Sequence, residues 1–200
     1  MLSAPPERQV RALHDDETLV VYQAYGPSIA KPALDAGMFV APFKRERMTW
    51  IKPSFLWMMY RCGWATKPDQ ERVLAITITR AGFEWALEHA CLSEFAPDLY
   101  ETHEAWQERK RATPVRVQWD PERSVALGRL DHRAIQVGLG GEAAGRYVDD
   151  WITKIEDVTP LAHEIHGLVD ARGLEQARRL LPVERSLALP AAVAAGVGAD

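Results

Sequence analysis

Cysteine is scarce in this chain of 200 residues, which carries only Cys62 and Cys91. Two thiols cannot form a disulfide framework, and a chain of this length with 47% apolar composition can bury a core without one. Both are expected as buried thiols. Long apolar runs are missing as well. No stretch reaches the roughly 20 uninterrupted apolar residues of a membrane-spanning helix, and the opening MLSAPPERQVRALHDD has no leader-like apolar run. The expectation is a soluble protein of the reducing cytoplasm with no membrane partner. An excess of positive charge is also lacking. The 24 basic and 28 acidic residues leave a net charge of -4, with a pI near 5.9, which argues against nonspecific attraction to nucleic acid over the whole surface. There is no internal repeat and no linker composition, so the prediction is one domain over residues 1–181 followed by a weakly anchored, Ala-rich tail, 182–200.

What is present is unevenly spread. The stretch from Lys44 to Lys67, KRERMTWIKPSFLWMMYRCGWATK, holds three of the seven tryptophans. It also sets Lys44, Arg45, Arg47, Lys52, Arg61 and Lys67 against the single acid Glu46. Such a segment has two readings. In one, Trp and Tyr faces stack on a base while Arg and Lys hold phosphate. In the other, it is a buried helix whose long cations snorkel to solvent.

Around this segment the periodicities alternate irregularly. Residues Met1 to Pro6 are expected to fray, and Glu7 to His14 reads as a short helix or an arm. TLVVYQAY, Thr18 to Tyr25, is a strand between turn formers. Pro27 to Ala36 is a helix started by proline and closed by Gly37. Met48 to Ile51 is extended, and Pro53 opens a helix that stops before Gly63. Within that helix Phe55, Met58, Met59 and Cys62 form a core stripe, which leaves Ser54, Trp57 and Arg61 near a second face. RVLAITIT, Arg72 to Thr79, is a central strand. Phe83, Leu87, Ala90 and Cys91 predict one helix from Ala81 to Leu92. Pro97 to Arg111 reads as a loop and a solvated helix anchored by Trp106. Pro114 to Trp119 is a strand ending in a turn at Asp120-Pro121, and Arg133 to Leu139 is a further strand, a neighbour of the first. Tyr147, Val148, Trp151, Ile152 and Ile155 predict a helix over Arg146 to Val158, and Leu161 to Val169 and Gly173 to Leu181 predict two more. The fold class expected is α+β, with a mixed or mainly antiparallel sheet and flanking helices.

Other motifs carry less. His163-Glu164-Ile165-His166 is one residue short of the zinc-protease spacing, so no metal is assigned. Gly138-Leu139-Gly140-Gly141 sits where backbone N–H groups could cradle phosphate, but it lacks the Walker ending, and a flexible turn is the alternative. Cys62 beside Arg61 could have a lowered thiol pKa, against which stands burial on the helix stripe.

RQVRALHDDETLVVYQAY, RMTWIKPSFLWMMYRCGWATKPDQERVLAI, VRVQWDPER and RAIQVGL together resemble the domain of unknown function 4291 family, over about Arg8 to Thr159. That resemblance implies no reaction. The order of elements up to RVLAITIT is also similar to the opening of ADP-ribosyltransferase-like folds. This second likeness implies a nicotinamide dinucleotide (NAD) ligand gripped from the first strand, here by Tyr22 or Gln23, with Gln136 or Glu142 as the later polar group nearest the chemistry.

The function expected is an enzyme acting on a nucleotide or nucleic-acid substrate. Arg45, Arg47, Lys52 and Arg61 would grip phosphate, Trp50, Trp57 or Tyr60 would stack on a base, and Ser54 would share their face. The alternative is a noncatalytic module using the same patch for RNA or an acidic partner protein. A third reading makes the segment core plus dimer interface.

Overall fold

The computed structural model describes residues 5–200; most of the Met1 to Pro6 stretch expected to fray lies outside them. The chain runs β1 (Arg11–Ala12), β2 (Thr18–Tyr25), α1 (Pro27–Ala36), β3 (Thr49–Ile51), α2 (Phe55–Cys62), β4 (Arg72–Thr79), α3 (Arg80–Glu88), β5 (Ala90–Leu92) and α4 (His103–Ala112). It continues through β6 (Val115–Arg123), β7 (Arg129–Leu139), α5 (Gly141–Arg146) and a π-helical turn (Tyr147–Trp151). Last come β8 (Ile152–Asp157), α6 (Thr159–Asp170), α7 (Leu174–Leu180), β9 (Arg185–Ser186) and α8 (Ala191–Val197).

Two sheets carry the fold. One has the order β2-β4-β8 and is antiparallel throughout. The other has the order β3-β7-β6-β5 and is antiparallel except for the parallel β5–β6 pair. This is the α+β class. Strand alternation divides the core. Leu74, Ile76 and Ile78 of β4 face a cluster that includes Ala30 of α1 and Phe83 of α3. Val73 and Ala75 face the other side, where Met58, Met59 and Cys62 of α2 meet Ile165 of α6 and Ala177 of α7. The predicted stripe on α2 is buried, and both cysteines are buried and free. Among the described residues no helix is long and apolar enough to cross a membrane.

Four boundaries differ from the periodicity. The Glu7 to His14 arm contains no helix; Arg11 and Ala12 pair with Ser186 and Arg185 of β9. The helix expected to reach Leu92 stops at Glu88, because Ala90–Leu92 pairs in parallel with Val115–Val117 and is buried at all three positions. Asp120-Pro121 is not a turn. Strand β6 carries on to Arg123, with its register shifted against β7 between Pro121 and Arg123, and Pro121 sits at that irregularity, where a missing N–H is tolerated. The helix expected over Arg146 to Val158 is a π turn and then a strand, in which Ile152 and Ile155 pair with Ile78 and Ile76.

The segment from Pro182 onward places Leu187 and Val197 in the core. It also accepts a bond from Trp119 Nε1 at the Val197 carbonyl, 2.8 Å, and its Glu184 carboxylate accepts from the Phe55 N–H at 2.7 Å, at the start of α2.

Gly82 tests how closely α3 meets the π turn. A Cβ there would lie 2.4 Å from Cγ of Trp151, so Gly82→Ala must displace a buried indole. We expect a loss of about 2 kcal/mol, read as a lower urea midpoint with an unchanged slope.

Candidate functional site

The two sheets touch at one backbone exchange. The Tyr22 N–H donates to the Lys52 carbonyl at 2.8 Å, and the Lys52 N–H donates to the Tyr22 carbonyl at 3.2 Å. Lys52 follows β3 directly, and Pro53 after it prevents the strand from continuing by hydrogen bonds. Beside this junction the sheets diverge and leave a cavity of about 660 Å³, within the range of small-molecule sites.

The floor of the cavity is a polar network on β2 and β3. The buried Gln23 amide donates to Thr49 Oγ1 at 2.5 Å and Tyr25 Oη at 2.9 Å, and its oxygen accepts from Tyr147 Oη at 2.7 Å. Tyr25 and Thr49 close the ring at 2.9 Å. Burial holds these phenols in the neutral, donating form: Tyr25 is pushed up to about 12, and Tyr147 is raised well above its ordinary value.

One wall comes from β6 and β7, where Gln118 and Gln136 are register partners. Both amides donate to the carboxylate of Asp120, at 2.8 and 2.6 Å. Trp50 also lines the cavity, and Gly138 opposite has room for it: a Cβ there would lie 2.8 Å from Met48 Sδ and 3.0 Å from the Trp50 ring. The glycine run beginning at Gly138 therefore serves close packing here, and it does not line the cavity.

The cations come from three places. Lys44 and Arg47 lie on the loop before β3, Lys52 at the junction, and Arg61 on the last turn of α2. Arg47, Arg61 and Lys44 are exposed, whereas Lys52 is 5% exposed. Its ammonium makes one hydrogen bond, 3.3 Å to the Trp50 carbonyl. Among the described residues it has no carboxylate at ion-pair distance. Burial, followed by the charge of Arg61, brings Lys52 down to about 8, while the Asp120 charge pulls weakly the other way.

Of the residues singled out from the sequence, Gln23, Arg47, Trp50, Lys52, Arg61 and Gln136 come together in this cavity. The others lie elsewhere. Arg45 pairs with Asp149 at 2.7 Å on the surface. Glu142 pairs with Arg146, whose guanidinium lies 4.6 Å over the Trp85 ring. Ser54 caps α2: its hydroxyl accepts from the Trp57 N–H at 3.1 Å and donates to the buried Glu122 carboxylate at 2.9 Å. Trp57 is buried and stacks on the half-exposed Tyr60, with the Arg123 guanidinium 3.6 Å from the Tyr60 centroid. Tyr22 is core, edge-on to Phe55. The second face of α2 thus divides, and only Arg61 reaches the cavity.

Two further motifs have the following surroundings. Burial raises the Cys62 thiol, so proximity to Arg61 does not activate it. His166 stacks on Trp64 with centroids 5.5 Å apart, and no group of three metal-binding side chains gathers among the described residues.

Gln118, Asp120, Thr49 and Tyr147 are not among the site residues read from the sequence. The one available signal was the alternation of VRVQW, which sets Gln118 on a different face from Val115 and Val117. No curated protein matches the chain. A family model described as Domain of unknown function (DUF4291) matches residues 9–187, and the chain belongs to that family.

Proposed function

We propose that the protein is an enzyme whose cavity binds a nucleotide or a closely related phosphorylated ligand. The supporting observation is the convergence of Lys44, Arg47, Lys52 and Arg61 on one concavity that also presents Trp50, Phe43 and the amides of Gln118 and Gln136. Cations suit phosphate, an indole face suits a base or other flat ring, and amides suit ring edges or sugar hydroxyls. The concave shape favours a small ligand over extended RNA, and the buried amine favours chemistry over passive holding.

Trp50 makes the test direct. Titration with adenosine monophosphate, nucleoside triphosphates, nicotinamide dinucleotide and a short RNA is expected to quench tryptophan fluorescence for at least one mononucleotide or dinucleotide. Arg61→Ala should weaken that binding about tenfold, the loss of one charge-assisted contact. Silence with every ligand would sink the reading. Quenching by RNA alone would favour a noncatalytic RNA-binding module instead.

A further inference from the structure

The cavity holds an amine that phosphate binding alone does not explain. A lysine recruited only to grip an anion is best left in contact with solvent, as the exposed Lys44 is. Lys52 is instead buried at the sheet junction, with a long bond to a carbonyl, no carboxylate partner among the described residues and another cation on the next element. Desolvation beside a second cation is the arrangement that makes a lysine a nucleophile toward carbonyl carbon.

We propose that Lys52 is the nucleophile of this cavity and condenses with the aldehyde of a phosphorylated sugar or similar phosphorylated aldehyde. The proposal rests on reading the cavity as a site for phosphorylated ligands. Arg47, Arg61 and Lys44 hold the phosphate, which brings the aldehyde carbon to Nζ. The lone pair of Nζ forms the C–N bond, and the carbonyl π pair moves to oxygen. The oxygen then leaves as water with the two amine hydrogens, giving a neutral C=N imine. Nothing is oxidised or reduced. Asp120, held by Gln118 and Gln136, is the carboxylate whose charge reaches Lys52.

The test uses the full chain at pH 7.5 with ribose 5-phosphate or pyridoxal 5′-phosphate, followed by borohydride reduction and peptide mapping. Labelling of Lys52 is expected to be roughly tenfold faster than that of Lys31, Lys44 or Lys67. A lysine near 8 has more than about a hundredfold more free amine at that pH, and its lower basicity returns part of the advantage. Inorganic phosphate should protect Lys52, and pyridoxal without its phosphate should lose the preference. Lys52→Arg should remove the fast phase, with its urea midpoint checked to show that it folds. Even labelling across the surface lysines, or an equal preference for pyridoxal, overturns the proposal.

Adenosine monophosphate, which has no aldehyde, separates this claim from the preceding one. Quenching by the nucleotide without an adduct at Lys52 overturns the amine chemistry and leaves the binding reading standing. An adduct without quenching by any nucleotide upholds the amine chemistry and overturns the nucleotide reading. Neither quenching nor an adduct overturns both.

Discussion

Stability measured against pH is expected to pass through a minimum near pH 8, where many proteins are still close to their maximum. Two groups of opposite type produce it, the buried Lys52 and the half-buried Glu184. Glu184 sits behind the first turn of α2, and burial, with the charge of Glu122 adding to it, pushes its carboxyl up to about 8 from 4.5. Between those values the folded chain holds a proton that the unfolded chain has released, so stability falls as pH rises. Lys52 is brought down to about 8 from 10.5. Between 8 and 10.5 the unfolded chain holds the extra proton, so stability rises again. At most the alkaline limb is worth about 3.5 kcal/mol and the acid limb about 5 kcal/mol, from shifts of 2.5 and 3.5 pH units at about 1.4 kcal/mol each. Urea midpoints from pH 5 to pH 10 measure both. Glu184→Gln keeps an acceptor for the Phe55 N–H and should flatten the acid limb. A profile that falls throughout would contradict the placement of Lys52, and one that rises throughout would contradict that of Glu184.

Lys52→Met should stabilise the fold and abolish the chemistry assigned to this cavity. The substitution removes a charge that burial penalises and replaces it with an unbranched apolar chain of similar length. We expect a gain of roughly 1 to 3 kcal/mol at pH 7, together with loss of the alkaline limb. Any turnover, and the borohydride-trapped adduct, should disappear. A loss of stability in Lys52→Met would mean that Nζ is better solvated or better paired than its 5% exposure and single 3.3 Å bond imply.

The parts of the fold visible in the sequence are those in which one local pattern decides the element. Thr18 to Tyr25 and Arg72 to Thr79 are strands between unambiguous stops, and Gly37 and Gly63 close their helices in the left-handed conformation that glycine favours. The misread segments are short strands that carry on the spacing of the helix before them. Ala90–Leu92 follows Phe83 and Leu87 at helical spacing, and Ile155 follows Trp151 in the same way, so 3.6-residue periodicity continues where the backbone does not. Only pairing with strands more than 20 residues away in sequence separates the cases, as for Ala90 with Val115 and Ile155 with Ile76.

The candidate site divides along the same line. The cationic cluster from Lys44 to Arg61 is a local composition and was legible. Which of its members share a cavity depends on where the sheets part, and Arg45 and Arg47, two residues apart, end on different surfaces. An aromatic beside Arg61 suggests stacking on a ligand, whereas the Trp57 ring lies outside the cavity in a ladder with Tyr60 and Arg123. Asp120 was hidden by Pro121, which made the pair look like a turn.

The single exchange between Tyr22 and Lys52 also bears on how the molecule assembles. The strand before Lys52 takes its sheet partner from Val137–Leu139, and the β2-β4 pair is completed by Ile152–Asp157. Closure of the cavity therefore waits on contacts across some 80 residues of chain. Topology of this kind places folding toward the slower, millisecond-to-second range. A nascent chain that has emerged only as far as Arg61 carries the whole cationic cluster but has nothing to hold Lys52 out of water. Its amine at that stage is an ordinary lysine, and its reactivity, as a product of tertiary closure, should emerge in a refolding experiment with the final sheet pairing.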